Sequence, residues 1–473
     1  MDVCLLPAVE LARRLRHREL SARELLEACL ARCDAVDPLL NAVVTRDDDR
    51  ARRRAAELDE QLVRTGPAGP LHGLPIAHKD LLPTAGLRTT WGSTLLAGVV
   101  PTEDAVLAAR VRAAGGVRIG KTNVPELGAG SQTTNALFGP TRNPYDPALT
   151  PGGSSGGAAV ALATGMAALA DGSDMGGSLR NPASFCNVFG LRPTPGRVPN
   201  LPAADAWFDL SVVGPMGRCA ADAALLLGAT AGAHPADPLT VREDAAAFLD
   251  PLDRDFTGVR VAWGGPLGLP FDAAVLGAFD AARPGVESLR VALTPAEPDV
   301  RGADEVFRVL RGWHLASTVG DLVERGGDAV AEVLRGNVAY GRTVTAEQLA
   351  RAQHRRSALL VAAAEFFAEH EFLVMPVSQV LPFDAELLWP REVGGEAMAD
   401  YLGWMRSAYV ISVLRVPAAS VPCGFTTGGL PVGLQVVGRP GDDLGVLQLS
   451  HALEQVFRAG DRHPDIAALS AAQ

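Results

Sequence analysis

Two short glycine-rich segments that carry serine lie close together in the middle of the chain. Residues 152–157 read GGSSGG and residues 174–178 read DMGGS, so Ser154 and Ser178 are 24 residues apart. Glycine allows a backbone to approach a ligand closely and leaves its N–H groups uncovered. Two such turns can place two hydroxyls and several N–H groups around one point. These residue types suit acyl transfer, which needs a nucleophile, a proton relay and an oxyanion hole.

Lysine is the candidate base, because a serine hydroxyl is a weak nucleophile until its proton is removed. Of the 43 basic residues only Lys79 and Lys121 are lysine, and the other 41 are arginine. A buried lysine can become neutral and accept a proton, whereas arginine stays charged in a protein. Lys79 ends the apolar run 74–78, as a residue at the end of a strand would. We therefore group Lys79, Ser154 and Ser178 as one catalytic constellation.

Two other interpretations of the glycine-rich segments remain open at this point. The pattern Gly-x-Ser-x-Gly around Ser154 matches the nucleophile elbow of an α/β-hydrolase-type esterase, with His451 or His463 as its base. That elbow needs a strand directly before it, and residues 143–151, NPYDPALTP, make a poor strand. The loops could also cradle a phosphate, but no GxxxxGK sequence followed by Ser or Thr accompanies them.

Several ordered motifs extend the pattern well beyond the two turns. On these motifs the chain resembles the amidase signature family of serine amidases, which use a Ser-Ser-Lys triad. The resemblance covers residues 73–199 and, more weakly, 417–438. The matching segments are GLPIAHKD (73–80), GKTN (120–123), FGPTRNP (138–144), PGGSSGG (151–157), GSDMGGSLR (172–180) and GLRP (190–193).

The resemblance implies a role for each member of the constellation. Ser178 would be the nucleophile, Ser154 a bridging serine held by an unusual cis peptide, and Lys79 the base. The implied reaction is hydrolysis of a carboxamide C–N bond, through an acyl-enzyme on Ser178, to a carboxylate and ammonia or an amine. It needs neither a metal nor another cofactor.

The resemblance also implies contacts made by both turns. Backbone N–H groups of the second turn would form the oxyanion hole: those of Met175, Gly176, Gly177 and Ser178. Arg180 would lie close by and meet a polar or anionic part of the substrate. Gly153 and Ser155 are assigned as further substrate contacts.

The fold implied by the family is α/β, with a central mixed, twisted β-sheet covered by helices on both faces. Alternating strand and helix patterns after residue 66 themselves favour a mixed, mainly parallel sheet. We predict one large amidase domain over residues 1–473. Its parts are outer N-terminal helices (1–65), the signature core (66–238), a variable substrate-entrance region (239–415), and C-terminal core strands with a closing helix (416–473).

Apolar periodicity predicts the individual elements. Helices are predicted over 7–16, 21–36, 47–63, 104–114, 158–168, 220–231, 272–282, 303–325, 345–369, 401–414 and 444–457. Strands are predicted over 74–78, 116–119, 259–263, 372–375, 418–421 and 431–437.

Composition limits the partners of this protein. A net charge of −11 argues against a general binder of nucleic acid or anionic membranes, which would need a basic surface. The six cysteines contain no CxxC pair, and the N-terminus lacks the pattern of a signal peptide. We therefore expect a cytoplasmic protein that acts on a small-molecule amide, with no direct nucleic-acid or membrane contact and a homodimer as one possible assembly.

Some assignments stay open in the sequence. The chain could instead be the A-type amidase subunit of a tRNA-dependent amidotransferase, delivering ammonia to a partner. His78 stands where the family usually has an apolar residue, and we interpret it as structural. Lys121 is interpreted as a salt-bridge or helix-end residue. Trp313 and His314, in the entrance region, are interpreted as a partly buried aromatic pair rather than as specificity residues.

Overall fold

An eleven-stranded mixed sheet runs through the computed structural model, which describes residues 2–472. The strands are, in chain order, β1 (Val43–Arg46), β2 (Pro75–Lys79), β3 (Val117–Thr122), β4 (Leu169–Asp174), β5 (Phe189–Arg192), β6 (Val212–Gly217), β7 (Arg260–Trp263), β8 (Ala292–Pro295), β9 (Phe372–Pro376), β10 (Glu392–Val393), β11 (Glu396–Ala397), β12 (Ala418–Phe425) and β13 (Pro431–Gly438). The large sheet has the order β1-β3-β2-β4-β6-β5-β12-β13-β9-β7-β8, and β10 pairs with β11.

Helices account for most of the remaining regular structure. The α-helices are α1 (Ala8–Arg16), α2 (Ala22–Leu40), α3 (Asp48–Thr65), α4 (Val106–Ala113), α5 (Gly156–Ala163), α6 (Arg180–Phe185), α7 (Ala220–Thr230), α8 (Ala273–Ser288), α9 (Ala303–Gly326), α10 (Glu332–Thr343), α11 (Ala346–Glu369), α12 (Arg406–Val413), α13 (Asp443–Phe457) and α14 (Ile466–Ala471). Short 3-10 helices occupy Val3–Leu5, Thr94–Leu96, Glu126–Gly128, Ala245–Leu249, Gly327–Ala329, Gly403–Met405 and Ala459–Asp461.

The sheet is mixed, as expected, but it is not mainly parallel. β2 is parallel to both β3 and β4, and β7 is parallel to both β8 and β9. The centre of the sheet, from β4 through β6, β5, β12 and β13 to β9, is antiparallel. β12 and β13 are joined by a connection of five residues, which is too short for the crossover that parallel neighbours require.

The predicted N-terminal helices are present as α1, α2 and α3. Ser21 caps α2 in a capping box, in which its side chain accepts from the backbone N–H of Glu24 while the Glu24 carboxylate accepts from the backbone N–H of Ser21. α2 continues through Pro38 to Leu40, four residues beyond the predicted end at residue 36. Its buried face joins the main apolar core.

The predicted helix over 158–168 is too long. α5 ends at Ala163, and the chain then turns at Gly165, whose φ of +79° favours glycine. A Cβ on Gly165 would lie 2.7 Å from the carbonyl oxygen of Cys4. The following residues enter β4 instead. Small side chains buried on every side carry no periodicity that separates helix from strand.

Candidate active site

Lys79 is the last residue of β2, which lies between β3 and β4 and is buried along its whole length. Only 1% of the Lys79 residue surface is exposed. Its Nζ donates hydrogen bonds to Ser154 Oγ at 2.8 Å, to Ser155 Oγ at 2.8 Å and to Ser173 Oγ at 3.0 Å. The structure therefore brings together two of the three residues in the predicted constellation by a direct hydrogen bond.

Burial sets the protonation chemistry of this lysine. Removal from water disfavours the charged ammonium and lowers the pKa of Lys79 from 10.5 to about 7. The carboxylates of Asp174 and Asp171 oppose this effect and raise the pKa, but desolvation is the larger cause. A substantial fraction of the lysine is therefore neutral near pH 7, which is the form that can accept a proton.

Asp171 on β4 holds the backbone of β2 next to the lysine. One carboxylate oxygen accepts the backbone N–H of Lys79 at 2.9 Å, and the other is hydrogen-bonded to Nδ1 of His78. His78 and Asp171 are both buried. The His78 side chain lines a separate cavity with Thr84 and Arg118, away from the two serine turns. The structural role of His78 stays a prediction.

The first glycine-rich turn places Ser154 just before α5. The peptide bond between Gly153 and Ser154 is cis, as the family resemblance implied. Ser131 Oγ donates to the Gly153 carbonyl at 2.9 Å, and Thr133 Oγ1 donates to the Gly152 carbonyl at 2.7 Å. Both of these hydroxyl residues are buried. Hydrogen bonds from a neighbouring loop thus fix the backbone that carries Ser154.

The second glycine-rich turn folds around the carboxylate of Asp174. Oδ1 accepts the N–H of Gly177 at 2.9 Å, and Oδ2 accepts the N–H of Leu179 at 3.2 Å. Gly177 has a φ of +105°, and a Cβ at this position would lie 2.5 Å from the Cβ of Ala408. Both the backbone conformation and the close packing therefore require glycine here.

The predicted oxyanion donors fall into two groups. The N–H of Gly177 is already bonded to Asp174, so the expectation that it serves an oxyanion needs correction. The N–H groups of Met175, Gly176 and Ser178 have no acceptor among residues 2–472. These three groups are free to donate to a ligand.

Ser178 and Ser154 line the same cavity, which has a volume of about 80 Å³. The two turns are also joined directly, because the backbone N–H of Ser155 donates to the Ser178 carbonyl at 3.2 Å. Met175 and Gly176 line this cavity as well. A neighbouring cavity of about 220 Å³ is lined by Lys79 and shares Ser173 with the first. The predicted nucleophile and relay therefore line one cavity, and the predicted base lines the neighbouring cavity that shares Ser173 with it.

Arg180 does not have the free side chain that a substrate contact would need. Its guanidinium is fully buried and donates to both carboxylate oxygens of Asp174, at 2.9 and 3.0 Å. The remaining N–H groups donate to Ala408 O at 2.8 Å, Gln435 Oε1 at 2.5 Å and Ser412 Oγ at 2.7 Å. All five donors of the guanidinium are used within the protein. The expected contact with substrate is therefore corrected to a role in holding Asp174.

Gly153 and Ser155 are also enclosed by protein. The Gly153 carbonyl is bonded to Ser131, and Ser155 is fully buried with its hydroxyl on Lys79. Neither residue is among those lining the cavity that contains Ser154 and Ser178. The structure assigns both to the support of the site, which corrects the expectation that they touch substrate.

Other residues singled out in the sequence have structural partners. Lys121 is buried and its Nζ donates to the Leu82 carbonyl and to Thr84 Oγ1. Burial lowers the pKa of Lys121 to about 8. His314 stacks on Phe208, with ring centroids 3.6 Å apart, and burial lowers its pKa to about 4. Lys121 thus makes hydrogen bonds to a non-helical segment rather than the expected salt bridge or helix-end contact. His314 has an aromatic partner other than Trp313.

Two cavity residues escaped the sequence analysis. Ser173 lies in the matching segment 172–180 but was given no role there, yet it follows Asp171 by two positions on β4 and contacts Lys79 at 3.0 Å. Arg311 lies on α9 between Phe307 and Leu315, and all three line the cavity of Ser178. Their spacing of four residues marks one helix face. The sequence signal for Arg311 was a cationic residue between two apolar residues, Phe307 and Leu315, on one face of a predicted helix.

The described residues contain no group of three or more His, Cys, Asp or Glu side chains arranged to hold a metal ion. Among the helices of residues 2–472, none has the length and apolar character needed to cross a membrane.

Comparison with known proteins extends the resemblance to almost the whole chain. The Amidase family model matches residues 24–447. An acylamidase from Rhodococcus erythropolis is 35% identical over 463 residues, covering 97% of each protein. The A subunit of the glutamyl-tRNA(Gln) amidotransferase from Carboxydothermus hydrogenoformans is 32% identical over 490 residues, covering 96% of this chain and 98% of that protein.

A solved structure shows the same similarity in three dimensions. A bacterial aryl acylamidase of the amidase signature family matches with a TM-score of 0.91 and 25% sequence identity, covering 100% of both chains. The chain belongs to the amidase signature family of amide-hydrolysing enzymes.

Proposed function

We propose that this protein hydrolyses carboxamides through an acyl-enzyme on Ser178. Neutral Lys79 accepts a proton from Ser154 as Ser154 accepts the proton of Ser178, whose Oγ attacks the amide carbonyl carbon. The C–N bond then breaks, and the proton returns through Ser154 to the leaving amine. Water, deprotonated by the same relay, attacks the ester carbonyl and releases the carboxylate and Ser178.

The observation that carries this proposal is the environment of Lys79. A lysine with a pKa near 7, buried and hydrogen-bonded to Ser154, is poised to work as a base at neutral pH. The free N–H groups of Met175, Gly176 and Ser178 supply donors for the negative oxygen of the tetrahedral intermediate.

The esterase interpretation of Ser154 has less support. Residues 150–155 form an irregular turn rather than the strand that precedes a nucleophile elbow. The Ser154 hydroxyl is bonded to Lys79, and His463 lines a different cavity with Asp2 and Glu454. We therefore assign Ser154 to proton transfer and Ser178 to nucleophilic attack.

The cavity suggests the general class of amide. Apolar side chains provide much of its wall, among them Leu127, Phe307, Leu315 and Met405. Similarity to an acylamidase and an aryl acylamidase supports N-acyl amides, including anilides, as substrates. Acyl anilides that release a coloured aniline are therefore suitable first substrates.

Covalent labelling with a fluorophosphonate tests the triad. We expect intact mass and peptide mapping to place one label on Ser178 of the wild type and none on Ser178→Ala. Lys79→Met should slow labelling by about a hundredfold or more, because general-base catalysis contributes that much. Lys121→Met, the matched change at the other buried lysine, should label at a rate close to wild type. A label on Ser154, or labelling that ignores Lys79, would contradict the triad.

A second candidate function is favoured by the similarity to the A subunit of a glutamyl-tRNA(Gln) amidotransferase. In that case the amidase site would deliver ammonia to a partner protein. Hydrolysis of simple anilides by the isolated chain favours a free amidase. Stable co-purification with a second protein, together with amide hydrolysis only in its presence, would favour the amidotransferase.

A further inference from the structure

Arg311 is a buried cation in the catalytic cavity without a carboxylate partner in the described part of the chain. It is 6% exposed and lines the same space as Ser154 and Ser178. One guanidinium nitrogen, Nη1, donates to Oδ1 of Asn337, which is a neutral acceptor. The guanidinium carbon lies 5.5 Å from the ring centroid of Tyr401. Within residues 2–472, Nε and Nη2 have no hydrogen-bond acceptor.

Other buried arginines in this protein are compensated. Arg180 is paired with Asp174, Arg197 with Asp443, and Arg356 with Asp209. Arg218 donates to the backbone carbonyls of three different residues. Burial of a charge is strongly unfavourable unless it is paired and hydrogen-bonded. Buried nitrogens of Arg192 and Arg356 also lack an acceptor, but those arginines are paired with a carboxylate. Arg311 differs because it lines the cavity of Ser178 and has no carboxylate partner among the described residues.

The guanidinium is held in a defined position. Asn337 Nδ2 donates to the Val333 carbonyl at 2.6 Å, which turns the amide so that Oδ1 faces Arg311. Tyr401 Oη donates to the same Oδ1 at 3.3 Å. On α9, the flanking cavity residues Phe307 and Leu315 are apolar. The open side of the guanidinium is thus fixed in place and surrounded by groups that cannot neutralise it.

We propose that Arg311 binds a carboxylate carried by the amide substrate, so that the enzyme prefers acidic amides over neutral ones. A guanidinium presents parallel N–H donors that match the two oxygens of a carboxylate. The substrate carboxylate would replace the missing protein partner, while Ser178 attacks the amide in the same cavity. This inference rests on the proposed function of Ser178, since it concerns the substrate of that site.

Two matched substrate pairs test the preference on either side of the amide. Glutaryl-4-nitroanilide and 5-methylhexanoyl-4-nitroanilide differ by a carboxylate and its isopropyl isostere at the end of the acyl chain. 4-Butyramidobenzoate and 4-isopropylbutyranilide differ in the same way on the amine side. We expect the wild type to prefer the carboxylate member of at least one pair in kcat/KM.

Variants of Arg311 test whether the preference for carboxylate substrates depends on this residue. Arg311→Met should lower the preference for the carboxylate substrate by about ten- to a hundredfold, which is the amount expected for a lost hydrogen bond to a charged group. Arg311→Lys should retain part of this preference. Arg308→Met is the control, because Arg308 lies on the same helix but pairs with Asp304 and Asp400. It should change both members of a pair equally. No preference in the wild type, or a preference that survives in Arg311→Met, would overturn the proposal.

Binding without turnover separates this proposal from the proposed reaction. In the Ser178→Ala background, 4-butyramidobenzoate should raise the unfolding temperature more than 4-isopropylbutyranilide, and adding Arg311→Met should abolish the difference. Equal increases in unfolding temperature for the two ligands would contradict carboxylate recognition, and this result does not depend on whether Ser178 is the nucleophile. Absence of a fluorophosphonate label on wild-type Ser178 would contradict the nucleophile while leaving the binding comparison intact.

Discussion

At the scale of single residues, arginine and lysine occupy different kinds of environment in this protein. Arginine provides the cations that hold buried structure together, such as Arg180 and Arg192 beside Asp174. Its guanidinium stays protonated and offers five donors. Both lysines are buried, and burial lowers the pKa of each. Of the two, Lys79 is the one whose Nζ contacts Ser154.

The protonation of Lys79 predicts the pH dependence of catalysis. In the proposed mechanism the neutral amine is the active form. The pKa of Lys79 is about 7, so kcat/KM for a neutral anilide should fall about tenfold per pH unit below pH 7 and level off above it. The measurement is a pH–rate profile on a substrate that does not itself ionise. His78→Leu is the control for the nearby imidazole. An acid limb that persists in His78→Leu supports Lys79, whereas its disappearance would assign the limb to His78.

At the scale of elements, the second glycine-rich turn depends on backbone geometry more than on side chains. Gly177→Ala would put a Cβ 2.5 Å from Ala408 in a residue with a φ of +105°. We expect a loss of stability and a fall in kcat of about a hundredfold or more, because the neighbouring N–H groups that we propose as oxyanion donors would shift. Unfolding midpoints and anilide kinetics check this prediction.

Gly268→Ala is the matched control for that change. Gly268 has a φ of +70°, but no atom lies within 4 Å of the position that a Cβ would take, so the substitution carries the backbone strain without the clash. It should lower stability by about 1 kcal/mol and leave kcat unchanged. Wild-type kcat in Gly177→Ala would show that the turn tolerates displacement, against the prediction.

Much of the element order could be predicted because long amphipathic helices and strand-like apolar runs carry clear periodicity. α2, α9, α11, β12 and β13 are examples whose positions were expected from the sequence. The strand β4 was missed, because its small, buried residues repeat no apolar pattern. The orientation of the central strands was also missed, since it depends on which distant segments become neighbours rather than on any one segment.

In the candidate site, too, some features could be predicted from the sequence and others depend on distant segments. Lys79 and Ser154 could be grouped from residue type and motif, and the structure places them in contact. The roles of Arg180 and Arg311 could not be separated in the same way. Both are arginines near the site. Only the three-dimensional arrangement shows that Arg180 is paired with Asp174, whereas Arg311 has no carboxylate partner in the described residues. Sequence motifs report the residues of a turn but not the partners that reach it from distant helices.

At the scale of the whole molecule, one buried carboxylate joins the site to distant parts of the chain. Asp174 ends β4 and binds Arg180 of α6 and Arg192 of β5, all three with no exposed surface. Arg180 in turn reaches α12 through Ser412 and β13 through Gln435. Segments more than two hundred residues apart are therefore tied to the turn that presents Ser178.

Asp174→Asn tests this connection. Asparagine keeps the shape but removes the negative charge, which leaves two buried guanidiniums without a carboxylate. We expect the free energy of unfolding to fall by about 3–5 kcal/mol. The arginines also lower the pKa of Asp174 well below its usual range, so in the wild type this contribution is present at neutral pH and is lost only in strong acid. Urea unfolding at pH 7 measures the difference.

Asp443→Asn distinguishes a general loss of stability from an effect on the site. Asp443 is equally buried and pairs with Arg197, with its Oδ2 3.0 Å from the guanidinium, but it belongs to α13 rather than to either glycine-rich turn. Both variants should unfold at lower urea concentration. Only Asp174→Asn should also lose kcat under conditions where it remains folded, because Asp174 accepts the N–H groups of Gly177 and Leu179 and so shapes the turn that carries the proposed nucleophile Ser178. Equal kcat losses in the two variants would contradict this role and reduce Asp174 to a contributor to stability alone.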